Sequence, residues 1–326
     1  MRHLERALVL AERGRGTTHP NPLVGAVVVR NGEIVGEGWH ERAGGPHAEV
    51  VALEAAGERA RGATLYLTLE PCAHHGRTPP CADAVIAAGI AKVVAAVGDP
   101  NPKTDGEGFE RLRAAGVEVE LPGGELERRA RRQNEAWRTW VAKGRPFVTY
   151  KAAVTLDGRV AAAGGDARWV SGEESRRLVH EFRAASDAVA AGMGTVRAEN
   201  PKLTARAGGA VRQPRRLAFG RGPLPDGSEL ELRSGPLADE LERLAAEGVQ
   251  SLLLEGGPTL AGAFLRAGLI DKLVLFVAPK LVGGDDAPPL FAGPGVRALA
   301  DAIPLAGLEA SPVGEDLLVT AYVHEP

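Results

Sequence analysis

Three side chains that commonly bind zinc lie in separate segments of this chain, each at the boundary of a predicted helix or strand. His47 stands in a Pro-His-Ala-Glu run that opens a helix, Cys72 follows a buried strand, and Cys81 opens a further helix after two prolines. Prolines are tolerated in the first turn of a helix, which places Cys81 there. Cys72 and Cys81 are the only two cysteines among the 326 residues, and both belong to this pattern. A fold that uses the pattern must bring these three segments together.

The residue types in this pattern suit a catalytic metal. One imidazole and two thiolates give Zn²⁺ three protein ligands and leave a fourth position for water, as catalytic zinc sites require. Water on zinc ionises near neutral pH, and a helix's first turn favours a thiolate. Glu49, two residues after His47, need not bind the metal and can act as general acid and base. The order of these residues resembles that of zinc-dependent nucleobase deaminases. Eight residues separate the two cysteines here, where most such deaminases have two.

Two other functions remain open on the residues alone. A structural zinc site would need a fourth protein ligand, which His40 or His74 can supply. A deaminase of tRNA or of free cytidine or adenosine, joined to an unrelated C-terminal domain, would share the metal pattern and predicts a basic RNA-binding face. The run Glu-Arg-Arg-Ala-Arg-Arg at 127–132 is the only candidate for such a face, and it is also typical of one solvated helix side.

Helix and strand patterns alternate in both halves of the chain, which predicts two α/β domains. The segment Lys143-Gly144-Arg145-Pro146 contains glycine and proline, which interrupt helices and strands, and it lies between a predicted helix and the next predicted strand. We therefore expect domains at 1–143 and 146–326. Asn31-Gly32 predicts a tight hairpin in the first domain, and a helix over about 125–140 closes that domain. The strand patterns lie at 23–30, 33–39, 63–71, 92–98, 117–121, 147–156, 187–192, 215–220, 249–257, 271–282 and 316–323.

The composition is that of a globular protein, with 44% hydrophobic and 25% charged residues and a formal net charge of −3. A net charge this small gives no strong field that would recruit nucleic acid or an anionic membrane. The first residues mix charges with apolar residues at helical spacing, unlike a signal peptide, and no stretch approaches the roughly 18 apolar residues of a membrane span. We therefore expect a cytoplasmic protein that acts on a small molecule.

The loop between the two cysteines is characteristic of one family. It reads Cys72-Ala-His-His-Gly-Arg-Thr-Pro-Pro-Cys81 and fits without a gap the pattern PCxHxG(R/K)TPPC of the bifunctional deaminase–reductases of riboflavin biosynthesis. Segments 18–25 and 99–102 resemble two substrate loops of that family. The resemblance extends in recognisable motifs from about 18 to 266. It implies a cytidine-deaminase-like α/β/α fold for the first domain.

The same resemblance implies roles for individual residues of the first domain. Glu49 is expected to be catalytic, with His47, Cys72 and Cys81 bound to zinc. Substrate contacts are implied for Asn21, His74 and Arg77. The planar fork of an arginine suits bidentate binding of a phosphate, although a solvated loop arginine is the alternative at position 77. Asn21 can alternatively hydrogen-bond its own turn.

The second half resembles the family's reductase domain, which has a dihydrofolate-reductase-like α/β fold and uses NADPH. The main matching runs are KAAVTLDGR at 151–159, GMGTV at 192–196, NPKLTAR at 200–206 and EGGPTLAG at 255–262. In the second and fourth of these runs a strand ends in glycine before a helix begins. Glycine lets the backbone approach a ligand, and the free N–H groups of a helix start can hold a phosphate. These two junctions together indicate a cofactor cleft.

The family match implies two sets of residues in the second domain. NADPH contacts are expected from Ala153, Trp169, Thr195, Glu199, Gly257, Pro258, Thr259, Leu260, Ala261, Gly262 and Ala263. Contacts with the reductase substrate are expected from Lys151, Arg183, Leu203, Arg206 and Glu255. On the residues alone, Trp169 and Leu203 can be core residues and Arg183 a solvated one.

The chain also departs from the family's reductase pattern. Ala167 replaces a polar residue that commonly contacts substrate, Gly220 replaces a serine that contacts the cofactor, and Glu199 stands where aspartate is expected. Arg221 follows a predicted strand and is a candidate for the 2′-phosphate of NADPH.

The resemblance implies two consecutive reactions on one phosphoribosylated aminopyrimidine. Zinc-dependent hydrolysis removes the 2-amino group of 2,5-diamino-6-ribosylamino-4(3H)-pyrimidinone 5′-phosphate, and NADPH then reduces the ribosyl group to ribityl. Lys151 and Glu255 are candidates for polarising the sugar. The implied cofactors are one Zn²⁺ per deaminase domain and NADPH. Because the family's reductase half commonly dimerises, we also expect a homo-oligomer.

Overall fold

The structure is a computed structural model and describes residues 1–73, 80–101, 104–206 and 213–326. Contacts between Cα atoms divide the chain into two compact units, residues 1–143 together with 326, and residues 144–325. Each unit contains one β-sheet. Among the residues that the structure describes, no helix has both the length and the apolar composition needed to cross a membrane.

The first unit is built on a five-stranded sheet. Its strands are β1 (Gly25–Arg30), β2 (Glu33–Trp39), β3 (Thr64–Leu67), β4 (Lys92–Ala95) and β5 (Glu118–Glu120). The order is β2-β1-β3-β4-β5, with β1 antiparallel to both neighbours and the other pairs parallel. The predicted hairpin between β1 and β2 is confirmed. Asn31 and Gly32 adopt positive φ angles of 51° and 81°, which a two-residue hairpin turn requires.

Helices cover both faces of this sheet. They are α1 (Arg2–Ala11), α2 (Ala48–Ala56), α3 (Cys81–Ala87), α4 (Glu107–Ala114), α5 (Gly124–Gln133) and α6 (Glu135–Lys143). Successive side chains of a strand point to opposite faces. Ala26 and Val28 of β1 therefore pack with α2, α3 and α4, whereas Val27 and Val29 pack with α1. The predicted α/β/α arrangement of the first domain is confirmed.

The prediction of one continuous helix over about 125–140 is wrong, because Asn134 separates α5 from α6. Asn134 is buried, and its amide bonds the backbone of Leu23 twice. Its Oδ1 accepts the Leu23 N–H at 2.8 Å, and its Nδ2 donates to the Leu23 carbonyl at 2.9 Å. This pairing fixes the segment before β1 against the helical break.

The second unit contains an eight-stranded sheet. Its strands are β6 (Phe147–Thr155), β7 (Ala188–Gly192), β8 (Arg215–Phe219), β9 (Glu231–Arg233), β10 (Ser251–Leu254), β11 (Lys272–Ala278), β12 (Ala306–Val313) and β13 (Asp316–Tyr322). The order is β12-β13-β11-β6-β10-β7-β8-β9. β13 is antiparallel to β12 and β11, and all other pairs are parallel.

This sheet is also covered on both faces, by α7 (Glu173–Ala185), α8 (Met193–Glu199), α9 (Leu237–Ala246) and α10 (Pro258–Arg266). Leu252 and Leu254 of β10 share a core with α9 and α10, and Leu253 packs on the opposite face with α8. The parallel neighbours β7 and β10 end at the same edge of the sheet. In α/β sheets, ligands bind at the carboxyl ends of such strands.

Candidate metal centre and a second polar site

The structure brings His47, Cys72 and Cys81 together. His47 is the N-cap of α2, and Cys81 is the first residue of α3. The Nδ1 of His47 lies 3.1 Å from the Sγ of Cys81 and 3.7 Å from the Sγ of Cys72. All three potential ligand atoms lie within 4.8 Å of one another.

This donor set fits a tetrahedral zinc ion. Bonds of about 2.0–2.3 Å place neighbouring ligand atoms of such an ion roughly 3.5–3.8 Å apart. The buried His40 lies nearby, but both of its ring nitrogens are engaged. Its Nδ1 is 3.0 Å from the Pro46 carbonyl, and its Nε2 is 3.0 Å from the Nδ2 of Asn21. His40 is therefore not free to complete a four-ligand structural site. His74 and Arg77 lie outside the described residues.

The two thiols differ in acidity. A hydrogen bond from Cys81 lowers the pKa of Cys72 to about 4, and a hydrogen bond with His47 adds to this effect. The backbone N–H of Cys81 also donates to the Cys72 sulfur at 3.3 Å. Hydrogen bonding to Cys72 and burial raise the pKa of Cys81. The pocket thus stabilises a thiolate ligand on Cys72.

Glu49 lies in the first turn of α2 and is 3% exposed. Burial raises the pKa of its carboxyl group to about 6, although the nearby His47 lowers it. A general acid and base works best when its pKa lies near the operating pH. The position and the pKa of Glu49 are therefore those of a group that can both accept and return a proton.

The metal cluster opens into a cavity of about 470 Å³, a volume typical of small-molecule sites. Its wall includes two of the three predicted metal ligands together with several aromatic and polar residues, among them Asn21, His40, His47, Glu49, Glu70, Cys72, Asp99, Asn101, Trp137 and Trp140. The predicted substrate residue Asn21 therefore shares one cavity with His47, Cys72 and Glu49.

Sequence reasoning gave no catalytic or substrate role to two buried polar residues of this wall, His40 and Glu70, and it placed a third, Asp99, in a substrate loop without assigning that side chain a role. Each follows or ends a predicted strand, and a polar residue at that place is the signal that could have found them. Burial raises the pKa of Asp99 to about 6. The Asp99 Oδ1 also accepts the N–H of Asn101 at 2.8 Å, which shapes the second predicted substrate loop.

The basic run on α5 carries paired charges. Arg128 bonds Glu125 at 2.7 Å, and Arg131 bonds Glu127 at 2.7 Å, both on the same helix. Pairing of this kind reduces the positive field that an RNA backbone would meet.

In the second unit, three predicted substrate residues form one largely buried cluster. The Glu255 carboxylate, just after β10, accepts hydrogen bonds from the Nε and Nη2 of Arg183 at 2.5 and 3.0 Å. The Nζ of Lys151 on β6 lies 3.5 Å from the same carboxylate. Burial raises the pKa of Glu255, but Lys151 and Arg183 outweigh this effect and hold it below its ordinary value.

The two predicted glycine junctions lie side by side. Gly192 is the N-cap of α8, and Gly257 is the N-cap of α10. A Cβ atom on Gly257 would lie 3.2 Å from the Oγ1 of Thr195, and one on Gly192 would lie 3.3 Å from Leu260. A side chain at either glycine would therefore crowd Thr195 or Leu260. Free N–H groups at the start of α10 suit the phosphates of a dinucleotide.

The remaining residues predicted to contact NADPH fall into two groups. Pro258, Thr259, Leu260 and Ala263 are at least partly exposed on α10. Ala261 is fully buried. A Cβ atom on Gly262 would lie 2.0 Å from the Ala292 carbonyl oxygen. Ala261 and Gly262 thus face the interior of the unit.

Outside α10, Ala153 is partly buried on β6. Trp169 is 63% exposed, with its ring centroid 4.7 Å from the guanidinium of Arg176. Glu199, the last residue of α8, pairs with Arg168 at 3.9 Å. Trp169 and Glu199 therefore lie at the surface of this unit, where a ligand can reach them.

The segment before residue 207 borders the cluster of Arg183 and Glu255. The Nη1 of Arg183 donates to the Thr204 carbonyl at 3.2 Å. Leu203 is buried and has a positive φ of 49°, which is uncommon for such a residue. Arg206 is exposed, and its backbone N–H donates to the Nδ1 of His180 at 3.3 Å. The predicted substrate residues of this unit are thus close in space.

Two residues after β8, the departure Gly220 and the 2′-phosphate candidate Arg221, have a clear position. Gly220 has a positive φ of 142°, and a Cβ atom there would lie 2.7 Å from the Cγ of Met193. A serine at this position would require Met193 to move. The carbonyl of Arg221 accepts a hydrogen bond from the Nη2 of Arg197 at 2.5 Å. Nothing in the structure explains Ala167.

Family models match both units. The cytidine and deoxycytidylate deaminase zinc-binding region matches residues 1–97, and the RibD C-terminal domain matches residues 146–319. The riboflavin biosynthesis protein RibD of Aquifex aeolicus is 41% identical over 350 residues, covering 97% of this chain and 96% of that protein. The RibD protein of Escherichia coli is 41% identical over 358 residues and covers 97% of both chains.

Solved structures are similar over the same length. One crystal form of Acinetobacter baumannii RibD has a TM-score of 0.86 at 37% identity and covers 98% of both chains. The diaminohydroxyphosphoribosylaminopyrimidine deaminase/5-amino-6-(5-phosphoribosylamino)uracil reductase of Thermotoga maritima has a TM-score of 0.81 at 36% identity. It covers 98% of this chain and 97% of that one.

Proposed function

This chain belongs to the RibD family of riboflavin biosynthesis, and on that premise we propose which of its residues carry out each of two reactions. The protein is a bifunctional enzyme, a zinc-dependent deaminase and an NADPH-dependent reductase. Its substrates are the diaminohydroxyphosphoribosylaminopyrimidine and the 5-amino-6-(5-phosphoribosylamino)uracil that deamination leaves.

For deamination, His47, Cys72 and Cys81 hold the metal, and bound zinc would supply a Lewis acid that activates water. Glu49 then acts as the general base and general acid. Its carboxylate accepts the proton of the attacking water and returns it to the departing amine, so that ammonia leaves. The observation that supports this proposal is a carboxyl group 3% exposed, with a pKa near 6, on the wall of the cavity that contains the cluster.

For reduction, bound NADPH would supply the hydride that converts the ribosyl group to ribityl. The start of α10 and Thr195 would hold the cofactor, and the exposed Trp169 would contact it. Lys151, Arg183 and Glu255 hold and polarise the sugar, together with Leu203 and Arg206. The cluster of Lys151, Arg183 and Glu255 carries one net positive charge, which favours an anionic substrate.

The variant Glu49→Gln tests the division of labour, because glutamine keeps the shape of the side chain but cannot accept a proton. Ammonia release from the diamino substrate should fall by about 10²- to 10⁴-fold. NADPH oxidation with supplied 5-amino-6-(5-phosphoribosylamino)uracil should stay at the wild-type rate, and the zinc content should not change. Equal loss of both activities would refute the separate assignment of Glu49.

We further propose that a second copy of the chain packs against β12. This strand lies at the edge of the sheet, and several large apolar residues on or near it are exposed, namely Leu299, Ile303, Leu305, Leu308 and Leu317. An exposed apolar edge strand promotes pairing with another chain. Sedimentation equilibrium should give at least a dimer that Leu308→Lys weakens. The same change at the exposed Leu121 of the first unit is the control. A wild-type monomer at micromolar concentration would contradict the proposal.

We also propose that the enzyme works in the cytoplasm. Cys72 and Cys81 are both free thiols, and a reducing compartment keeps them available to the metal. Cell fractionation with activity measurement tests this location, and ammonia release confined to an exported fraction would contradict it.

A further inference from the structure

The buried carboxylate of Glu70 accepts hydrogen bonds from four backbone N–H groups of the segment 99–109. Its Oε2 accepts from Asp99 at 3.1 Å and from Gly106 at 3.3 Å. Its Oε1 accepts from Gly108 at 3.0 Å and from Phe109 at 3.2 Å. Glu70 itself is 4% exposed. An ionised carboxylate has about four acceptor positions, so these four donors match its capacity.

One oxygen of Glu70 holds backbone that forms part of the cavity wall. Its Oε2 accepts from Asp99, which lines the cavity, and from Gly106, which is the N-cap of α4. Asp99 and Asn101 both line the cavity of the metal centre. The position of this wall therefore depends on the Oε2 of Glu70.

The other oxygen holds the start of α4 against the chain that leads to Cys72. Gly108 and Phe109 lie in the first turn of α4, where free N–H groups favour a negative charge. A Cβ atom on Gly108 would lie 2.0 Å from the Pro71 carbonyl oxygen, so the two backbones are in contact. Cys72 follows directly after Pro71. The same side chain thus fixes the cavity wall, the helix and the segment of a proposed metal ligand.

We propose that Glu70 is a positioning residue for deamination. It holds the cavity wall at 99–101 in a fixed position relative to the segment of Cys72. The proposal rests on the proposed function of this cavity. Glu70 lines the cavity, but both of its carboxylate oxygens are engaged by backbone N–H groups, so in this proposal it acts through the backbone that it holds. Misplacement of a binding group by about 1 Å can cost about 10²-fold in rate. Loss of this support should therefore weaken substrate binding before it weakens metal binding.

The test is Glu70→Gln in the zinc-loaded, full-length enzyme. Glutamine keeps the size of the side chain but replaces one oxygen by an NH₂ group, which must face two backbone donors. We expect the KM for the diamino substrate to rise about 10-fold or more, and kcat/KM for ammonia release to fall by about 10- to 100-fold. Zinc should remain at the wild-type ratio to protein. Reduction of the supplied uracil substrate should be unchanged.

Asp187→Asn is a matched control, because Asp187 is a buried carboxylate of the second unit. It accepts the N–H groups of Gln250 at 2.9 Å and Ser251 at 3.1 Å. This variant should lower thermal stability and leave the KM of deamination unchanged. If Glu70→Gln folds poorly, Glu70→Asp retains four acceptor positions on a shorter side chain and should raise the KM by a smaller factor.

The proposal is overturned if Glu70→Gln leaves the KM unchanged, if it lowers kcat alone, or if its activity is lost in proportion to lost zinc. It is also overturned if Asp187→Asn raises the KM equally. Failure of the proposed deamination itself is a different result, because the wild-type enzyme would then release no ammonia.

Discussion

Replacing Glu255 by glutamine should destabilise the second unit and abolish reduction, while ammonia release continues. The carboxylate side chain is 9% exposed, and its partners Lys151 and Arg183 are each 15% exposed. The hydrogen bonds from Arg183 are 2.5 and 3.0 Å long, and the Lys151 Nζ is 3.5 Å away. Because the two cations hold the pKa of Glu255 below its ordinary value, the group is ionised at neutral pH.

Glu255→Gln would leave these two largely buried cations without their counter-ion. Removing one partner of a buried ion pair costs about 3–5 kcal/mol, because the remaining charge stays desolvated. In a domain of about 150–250 residues, a loss of 1 kcal/mol lowers the thermal unfolding midpoint by about 2–4 °C. The thermal unfolding midpoint of unit 144–325 should therefore fall by about 6–20 °C. Differential scanning calorimetry measures the shift. Absorbance of NADPH measures reduction of the supplied uracil substrate, and a coupled assay measures ammonia.

The double variant Lys151→Met/Glu255→Gln separates stability from catalysis. It restores a net charge of plus one in the cluster, so most of the lost stability should return. Reduction should stay absent if Lys151 and Glu255 act on the sugar. A midpoint shift below about 2 °C in Glu255→Gln would refute the energetic reasoning. Full reductase activity in the double variant would remove both residues from the reaction.

Three smaller predictions concern other parts of the chain. Removal of zinc by a chelator should lower the thermal unfolding midpoint of the first unit alone. If the free zinc concentration was 100 times the Kd before removal, the lost stability is about 2.7 kcal/mol. Hydrogen bonding from Thr155 and from two backbone N–H groups lowers the pKa of Asp157 to about 2. Because the native pKa is lowered, this contact stabilises the fold above the unfolded pKa of about 3.9, and the stabilisation is lost as pH falls through about 2. The ¹³C titration of the Asp157 carboxyl should therefore have its midpoint at about 2. The variant Thr155→Val should raise that midpoint. Asn134→Ala should cost about 1–3 kcal/mol by urea unfolding, because it leaves the buried N–H and carbonyl of Leu23 without their partner. A loss below about 0.5 kcal/mol would contradict that role.

Much of the fold was readable from the sequence, because its signals are local. Asn31-Gly32 specifies a turn with two positive φ angles. The strands on either side have the apolar pattern that their buried positions require. The family, its two domain folds and its two cofactors were also predicted from motifs and are confirmed by the matching family models. The break at Asn134 was missed because the pattern of charged and apolar residues continues through it. The side chain at the break pairs with a residue more than a hundred positions away, which no local pattern indicates.

The metal centre and the second polar site differ in how far a sequence can specify them. Three ligands of a zinc ion must be drawn from a few residue types, so two cysteines and one histidine at element boundaries already narrow the choice. Lysine, arginine and glutamate are common everywhere on protein surfaces, and only the fold shows that Lys151, Arg183 and Glu255 are buried against one another. Glu70 is the extreme case. Its partners are backbone N–H groups, which every residue except proline offers, so no residue type in the sequence marks them. Side chains that position a site through the backbone are therefore those for which a three-dimensional structure adds most to a family resemblance.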